Sequence, residues 1–189
     1  MPQIEPPVLR TPRTRLRPLE RSDIADRARC GDDPEIMRMF GAPPTADTAG
    51  PITLRAAEAW FLEVTAESDA THWAIEFAGR FIGTARLHSI IPADRRARYA
   101  VGILDRDAIG LGLGTEVTLA ILRHGFQTLN LHRIDLRVLA YNDRAIRCYL
   151  RCGFVEEGRE RDAALVGGHW YDDVMMSILE HEWSPRTPR

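Results

Sequence analysis

The chain has no lysine; every one of its 25 basic residues is arginine. A Walker A phosphate loop, a pyridoxal Schiff base, a lysine-nucleophile aldolase and a protein kinase each depend on a lysine amine, so these classes are excluded. Serine is scarce, and neither a GxSxG turn nor an HExxH pair occurs, which leaves no signature of a serine triad or a helical zinc site. The histidines, His72, His88, His124, His132, His169 and His181, lack metal-ligand spacing and are expected to be structural or solvated, with no metal required. Three cysteines, Cys30, Cys148 and Cys152, form an odd set without CxxC spacing, which argues against a disulfide framework and fits a reducing compartment. Cys148 and Cys152 fall at i and i+4 and are expected to pack as small apolar groups. No run approaches the ~20 apolar residues of a membrane span, and residues 1–10 hold prolines and a glutamate where a signal peptide needs an apolar stretch. A cytoplasmic protein is expected. Net charge is −2, so no global field recruits nucleic acid or an anionic membrane, and an anionic ligand must be held locally.

What is present suits one domain: 189 residues bury a sizeable core without metals or disulfides. Prolines at positions 2, 6, 7 and 12 predict an extended arm over residues 1–12, and residues 184–189 read as a frayed tail, leaving a domain over 13–183. A short strand over 14–18 is followed by a helix capped by Ser22 or Asp23 and a second helix after Asp33-Pro34. Residues 41–50 read as loop and 51–65 as helix. Alternation over Trp73, Ile75 and Phe77 predicts a strand, returned by residues 81–91 after a turn at Gly79-Arg80. Residues 99–104 are near-continuously apolar, as in a strand buried on both faces. A helix is expected from Thr115 to about Leu129, a strand alternating over 133–138, a helix from Asn142 to Arg151 stopped at Gly153, and a hairpin pairing 161–166 with 169–179. The order defines an α/β (α+β) domain with a mixed, mostly antiparallel sheet flanked by helices.

Two segments stand out. The run Ile109-Gly110-Leu111-Gly112-Leu113-Gly114-Thr115-Glu116 leaves backbone N–H groups uncovered at a helix N-terminus, which favours phosphate or pyrophosphate; the same glycines also suit a tight turn with close strand–helix packing. Asp135 lies near the distance at which a dinucleotide fold places its ribose acid, but the preceding antiparallel strands do not supply the parallel series such a fold requires. On the helix opened by Asn142, one face carries Ala145, Tyr149 and Cys152 and another carries Arg144, Arg147 and Arg151. The arginines could meet phosphate or form a solvated face, and Tyr149 could face a site or simply pack. Met37, Met39, Phe40, Trp60 and Phe61 suit either an acceptor pocket or core.

Taken together, the glycine run and, about 26 residues beyond it, Asn142-Asp-Arg-Ala-Ile-Arg-Cys-Tyr-Leu-Arg-Cys-Gly-Phe154 resemble the acyl-CoA-binding core of the GNAT N-acetyltransferases. The opening stretch from Thr14 to Asp23 and the closing Gly168-His-Trp-Tyr-Asp-Asp-Val-Met-Met176 extend the resemblance over residues 13–183 and point to the RimJ/RimL-like branch, which also takes in diamine acetyltransferases. The resemblance implies a central strand, ending at Leu104, that splays from its neighbour and bonds the pantetheine arm of acetyl-CoA. It assigns the pyrophosphate to the amides of 109–114 with Thr115, the pantetheine to Asn142, and the nucleotide phosphate to Arg144, Arg147 or Arg151. Tyr149 would protonate the departing thiolate, and a main-chain N–H near Ile103 would stabilise the oxyanion formed when an amine attacks the thioester.

The implied reaction is acetyl-CoA-dependent transfer to a primary amine, at a protein N-terminus or on a small molecule. Its rival is a non-catalytic acyl-CoA-binding module. Three positions depart from the family: Ile109 stands where the loop usually begins with arginine, glutamine or an aromatic and Leu111 where it carries a basic residue, which would lower coenzyme affinity or shift it onto the nearby arginines, and Arg98 stands where relatives often carry a glutamate base. Arginine cannot accept a proton. An α-amine, ~10% neutral at pH 7, therefore suits the site better than a lysine-like amine. Edge strands in the C-terminal hairpin leave a homodimer open.

Overall fold

The computed structural model describes residues 6–42 and 50–184; most of the loop expected over 41–50 and nearly all of the tail lie outside the described residues. Strands are β1 (Leu9–Arg10), β2 (Thr14–Arg17), β3 (Thr71–Phe77), β4 (Arg80–Ile91), β5 (Arg96–Ile103), β6 (Arg133–Leu139), β7 (Val155–Val166) and β8 (His169–Leu179). Helices are α1 (Asp23–Cys30), α2 (Pro34–Arg38), α3 (Leu54–Ala66), α4 (Leu113–Gln127) and α5 (Asp143–Cys152). The strands form one sheet in the order β1-β2-β3-β4-β5-β6-β8-β7. Every neighbouring pair is antiparallel except β5 and β6, which α4 connects as a crossover. The mixed, mostly antiparallel sheet expected from sequence is the one observed.

Residue parity assigns the helices to faces. Trp73, Leu87, Tyr99, Ile134, Leu136 and Met176 share one face and are at most 2% exposed. Leu113, Val117, Ile121 and Leu122 of α4 and Tyr149 of α5 bury against that face as its core. On the opposite face, Arg17 of β2 forms a fork to Asp23 of α1, with 2.6 and 2.8 Å bonds, and Phe40 packs over Gly102 of β5. A Cβ at Gly102 would sit 3.0 Å from the Phe40 ring, so glycine there admits the aromatic wall.

Several local expectations change. Neither proposed α1 cap forms: Ser22 is itself helical, with no side-chain cap bond, and Asp23 spends its carboxylate on Arg17 and the Glu20 N–H. α4 begins two residues early, because Gly112 at φ 79° turns the chain directly into Leu113, and it ends at Gln127. The second hairpin begins at Val155, not Arg161. The expected arm is joined to the sheet through β1, and Pro7 accepts a 2.8 Å hydrogen bond from Trp73 Nε1. Most telling is β5: Ala97 and Tyr99 are buried, but residues 100–103 are half-exposed, so the strand is not covered on both faces. Its parallel partner stops pairing after Arg98.

Burial lowers the His124 imidazole below its usual value; the ring stands edge-on to Trp73 with centroids 5.7 Å apart. Burial lowers His72 and His88 as well. With the folded values below the unfolded ones, the unfolded chain takes up protons first as pH falls, so stability is full above about pH 6.5 and declines below it. Thermal melts from about pH 7.5 to 5.5 should show this decline, and His124→Gln should flatten part of the slope.

Candidate active site

β5 and β6 pair only through Arg96–Arg133, Ala97–Ile134 and Arg98–Asp135, then part. The resulting cleft, about 940 Å³, passes through the sheet and is lined on one side by α5 and the glycine loop and on the other by β3, β4 and the segment around α2. The Leu104 N–H donates to Ile82 O at 2.8 Å, which makes Ile103 opposite Gly83 a non-hydrogen-bonded pair in the β4–β5 ladder. Strand alternation therefore turns the N–H and C=O of Ile103, and of Val101 two residues before, away from β4 and toward the gap.

The loop meets that gap at the N-terminus of α4. Gly110 and Gly112 take positive φ values of 82° and 79°. The N–H groups of residues 110–114 donate no hydrogen bond among the described residues, and the α4 dipole adds partial positive charge there. Such a cradle suits a phosphate or pyrophosphate. Ile109, Gly110, Gly112, Leu113, Gly114 and Thr115 line the cleft, as do Ile103 and Leu104. Leu111 is the exception among the loop positions expected to bind: its side chain turns to solvent, 45% exposed, because the two left-handed glycines flanking it direct it outward.

The device that holds this loop escaped sequence reasoning. Arg13 donates to the Leu111 carbonyl at 2.9 Å and pairs through its guanidinium with buried Glu116, in the first turn of α4. Thr11 Oγ1 donates to the other Glu116 oxygen at 2.9 Å. Glu116 thus ties the N-terminal segment to the loop from behind. The buried charge two residues past the last loop glycine has no local partner, and only the sheet brings position 13 beside it.

Asn142 caps α5: its Oδ1 accepts from Ala145 N at 3.1 Å while Nδ2 donates to Met39 O at 3.4 Å. It pins α5 to the end of α2. Tyr149 lines the cleft beside Tyr99, ring centroids 6.4 Å apart, and its hydroxyl has no hydrogen-bond partner among the described residues. Burial raises its pKa, so the phenol stays protonated. Arg144, Arg147 and Arg151 are exposed and line the cleft together. Cys152 is buried as expected, but Cys148 lines the cleft, 3.3 Å from Thr115 Oγ1, and the hydrogen bond it shares with Cys152 holds its thiol below the usual value. It is not a simple apolar filler.

Across the sheet, Arg98 donates through Nε to Asp135 at 2.8 Å, and Asp135 is buried with that partner. Met37, Met39, Phe40 and Trp60 line the cleft, whereas Phe61 is buried and does not.

The mixed sheet opened beside a glycine-rich helix N-terminus defines an acyltransferase-type fold. The sequence profile of the acetyltransferase (GNAT) domain matches residues 13–155, and the chain belongs to that family. Among its relatives, spermidine N(1)-acetyltransferase of Escherichia coli K12 is 25% identical over 169 residues, 89% of this chain and 87% of that protein. The ribosomal protein uS5 alanine N-acetyltransferase of the same bacterium is 29% identical over 104 residues, 55% of this chain and 54% of its own. A crystal structure of spermidine N-acetyltransferase from Vibrio cholerae in complex with CoA and spermine superposes with a TM-score of 0.74 at 26% identity, covering 90% of this chain and 97% of that one. The protein is an N-acetyltransferase. Among the described residues no helix is long and apolar enough to cross a membrane.

Arg13→Ala removes the loop's strap and strands the Glu116 charge. Because Arg13 is itself half-exposed, the expected loss is about 1–2 kcal/mol of stability, read by denaturant unfolding. Faster amide exchange at Thr115 and Glu116, whose N–H groups bond the Gly112 carbonyl, should accompany it.

Proposed function

We propose that this chain is an acetyl-CoA-dependent N-acetyltransferase of the cytoplasm, acting on a primary amine by direct attack. The observation that carries this reading is the convergence in one cleft of the amides 110–114 and the Tyr149 hydroxyl, which have no hydrogen-bond partner among the described residues, with the outward backbone of Ile103. The amide cradle fits a pyrophosphate, and exposed Arg144, Arg147 and Arg151 fit a further phosphate, so the residues present suit coenzyme A without a basic side chain at Leu111. Bound acetyl-CoA supplies the activated acetyl group as a thioester.

The chain's own residues then have separable tasks. The β5 edge at Val101 and Ile103 aligns the pantetheine arm as an added strand. The Ile103 N–H stabilises negative charge developing on the thioester oxygen. The Tyr149 hydroxyl gives its proton to the departing thiolate sulfur, a role that requires the protonated phenol its burial maintains. Asn142, engaged at both ends of its amide, acts chiefly by fixing α5 and hence Tyr149. Arg98 is committed to Asp135 and cannot take the proton of an attacking ammonium. An α-amine, partly neutral near pH 7, meets this limit best, its proton leaving to water or a loop carboxylate. That preference supports the RimJ/RimL-like reading, with an acceptor of the kind named for the ribosomal protein uS5 alanine N-acetyltransferase.

Thermal unfolding with acetyl-CoA and with desulfo-CoA tests the ligand: at ~100 times the dissociation constant each should stabilise by about 2.7 kcal/mol, a shift of several degrees. No shift with either would sink the proposal. Tyr149→Phe should lower kcat about 100-fold in a CoA-release assay while the acetyl-CoA-induced shift persists.

A further inference from the structure

The half of the cleft on the α1–α3 face of the sheet is lined by one sign of charge. Arg27, Arg86, Arg98 and Arg137 line it, with His72 and His88, against a single carboxylate, Asp173. The acids that pair Arg27, Arg86 and Arg98, namely Asp32, Glu67 and Asp135, are not among the lining residues; Arg137 pairs Glu160 outside the lining and Asp173 within it, the latter at 3.7 Å. The guanidinium groups are thus held from behind and offered to the cleft. Arg98 spends only Nε on Asp135, and Arg86 only Nη1 on Glu67, leaving other N–H groups of both forks without partners among the described residues.

The ladder sets Arg86 and Arg98 around one point. His88 stands directly opposite Arg98, and Arg86 is two residues along β4 on the same face, about 7 Å away. His72 lies opposite Arg86 on β3. Burial, Arg86 and Arg98 together keep His88 below its ordinary value, so it adds a neutral hydrogen-bonding ring between two cations. Arg27 adds a further cation to this wall: it is 5% exposed, lies 5.5 Å from the Trp60 ring centroid, and bonds Gly31 O and Asp32 through its terminal nitrogens. A polycation entering here would meet like charge. A carboxylate would meet planar forks that bind it in two-point fashion.

We propose that the acceptor is a primary amine carrying a carboxylate, an amino acid or acidic peptide, held through that carboxylate by Arg86 and Arg98, and not a polyamine. This rests on the acetyl-transfer reading above and names the substrate class of the same site.

The test is a CoA-release panel on the full chain with Ala-Glu dipeptide, C-terminally amidated Ala-Gln, phosphoethanolamine and spermidine. Ala-Glu should exceed amidated Ala-Gln and spermidine in kcat/KM by at least about tenfold, and the advantage should shrink as salt is raised. Arg98→Gln and, separately, Arg86→Gln should each narrow the ratio of acidic to amidated acceptor to about twofold, through KM. The second variant serves if loss of the Asp135 partner unfolds the first. Spermidine turning over as fast as Ala-Glu overturns the proposal while leaving acetyl transfer intact; preference for phosphoethanolamine overturns the carboxylate assignment. If no amine is acetylated, the acetyl-transfer reading falls instead, and calorimetric titration of Ala-Glu with CoA present decides this one, absence of binding heat overturning it.

Discussion

Nearly everything specific about this molecule follows from β5 and β6 remaining paired for three residues and then separating. Up to Arg98 the two strands satisfy one another's backbone, and the Arg98–Asp135 ion pair closes the ladder at its last rung. Beyond it the carbonyl and N–H groups of Val101 and Ile103 have no strand to meet. In a buried sheet such groups are costly. Here they border a cleft instead, which is why residues 100–103 are half-exposed despite an apolar sequence. The opening also connects the two faces of the sheet, so a ligand on the α4–α5 side and another on the α1–α3 side can meet within it.

The α4–α5 side of that opening is built from backbone more than from side chains. Two left-handed glycines and the first turn of α4 present a continuous set of unpaired amides, and the side chain between those glycines is directed to solvent. An apolar residue at Leu111 is therefore no obstacle to anion binding. What keeps so glycine-rich a loop in place is charge from elsewhere: Arg13 and Thr11, drawn in by β1 and β2, grip Glu116 and the Leu111 carbonyl. α5 closes the arrangement, with Asn142 anchoring its start to the end of α2 and Tyr149 projecting into the gap.

The opposite side reflects the arginine-only composition in a different way. Fork-shaped cations can each bind a structural carboxylate with one nitrogen and still face the cleft with another, which a single ammonium does less readily. The same feature that withholds a base at position 98 thus supplies binding groups for an anion. An α-amine that carries a carboxylate satisfies both conditions, since it needs less help to lose its proton and has a group for the forks to hold.

Much of this was legible in the amino-acid order. The glycine run, the Asn142 helix with Tyr149, the alternation of β3 and β6 and the loss of a glutamate at position 98 are local facts, because capping, periodicity and left-handed turns depend on near neighbours. They were enough to specify the mixed sheet and to gather the candidate site. Contacts distant in sequence were not legible. Glu116 reads as an ordinary first-turn acid until β2 brings Arg13 to it. Asn142 reads as a free ligand until α2 takes its Nδ2, and an apolar β5 reads as fully buried until the sheet opens beside it. Nor does alternation reveal that Arg86, His88 and Arg98 share a face with Arg27. The sequence by itself determined most of the elements and the uncovered amides of the glycine loop, since both are short-range consequences of side-chain type. Only the tertiary structure decided where the sheet parts and which charges meet across it, because strand register and helix docking depend on packing the whole chain at once.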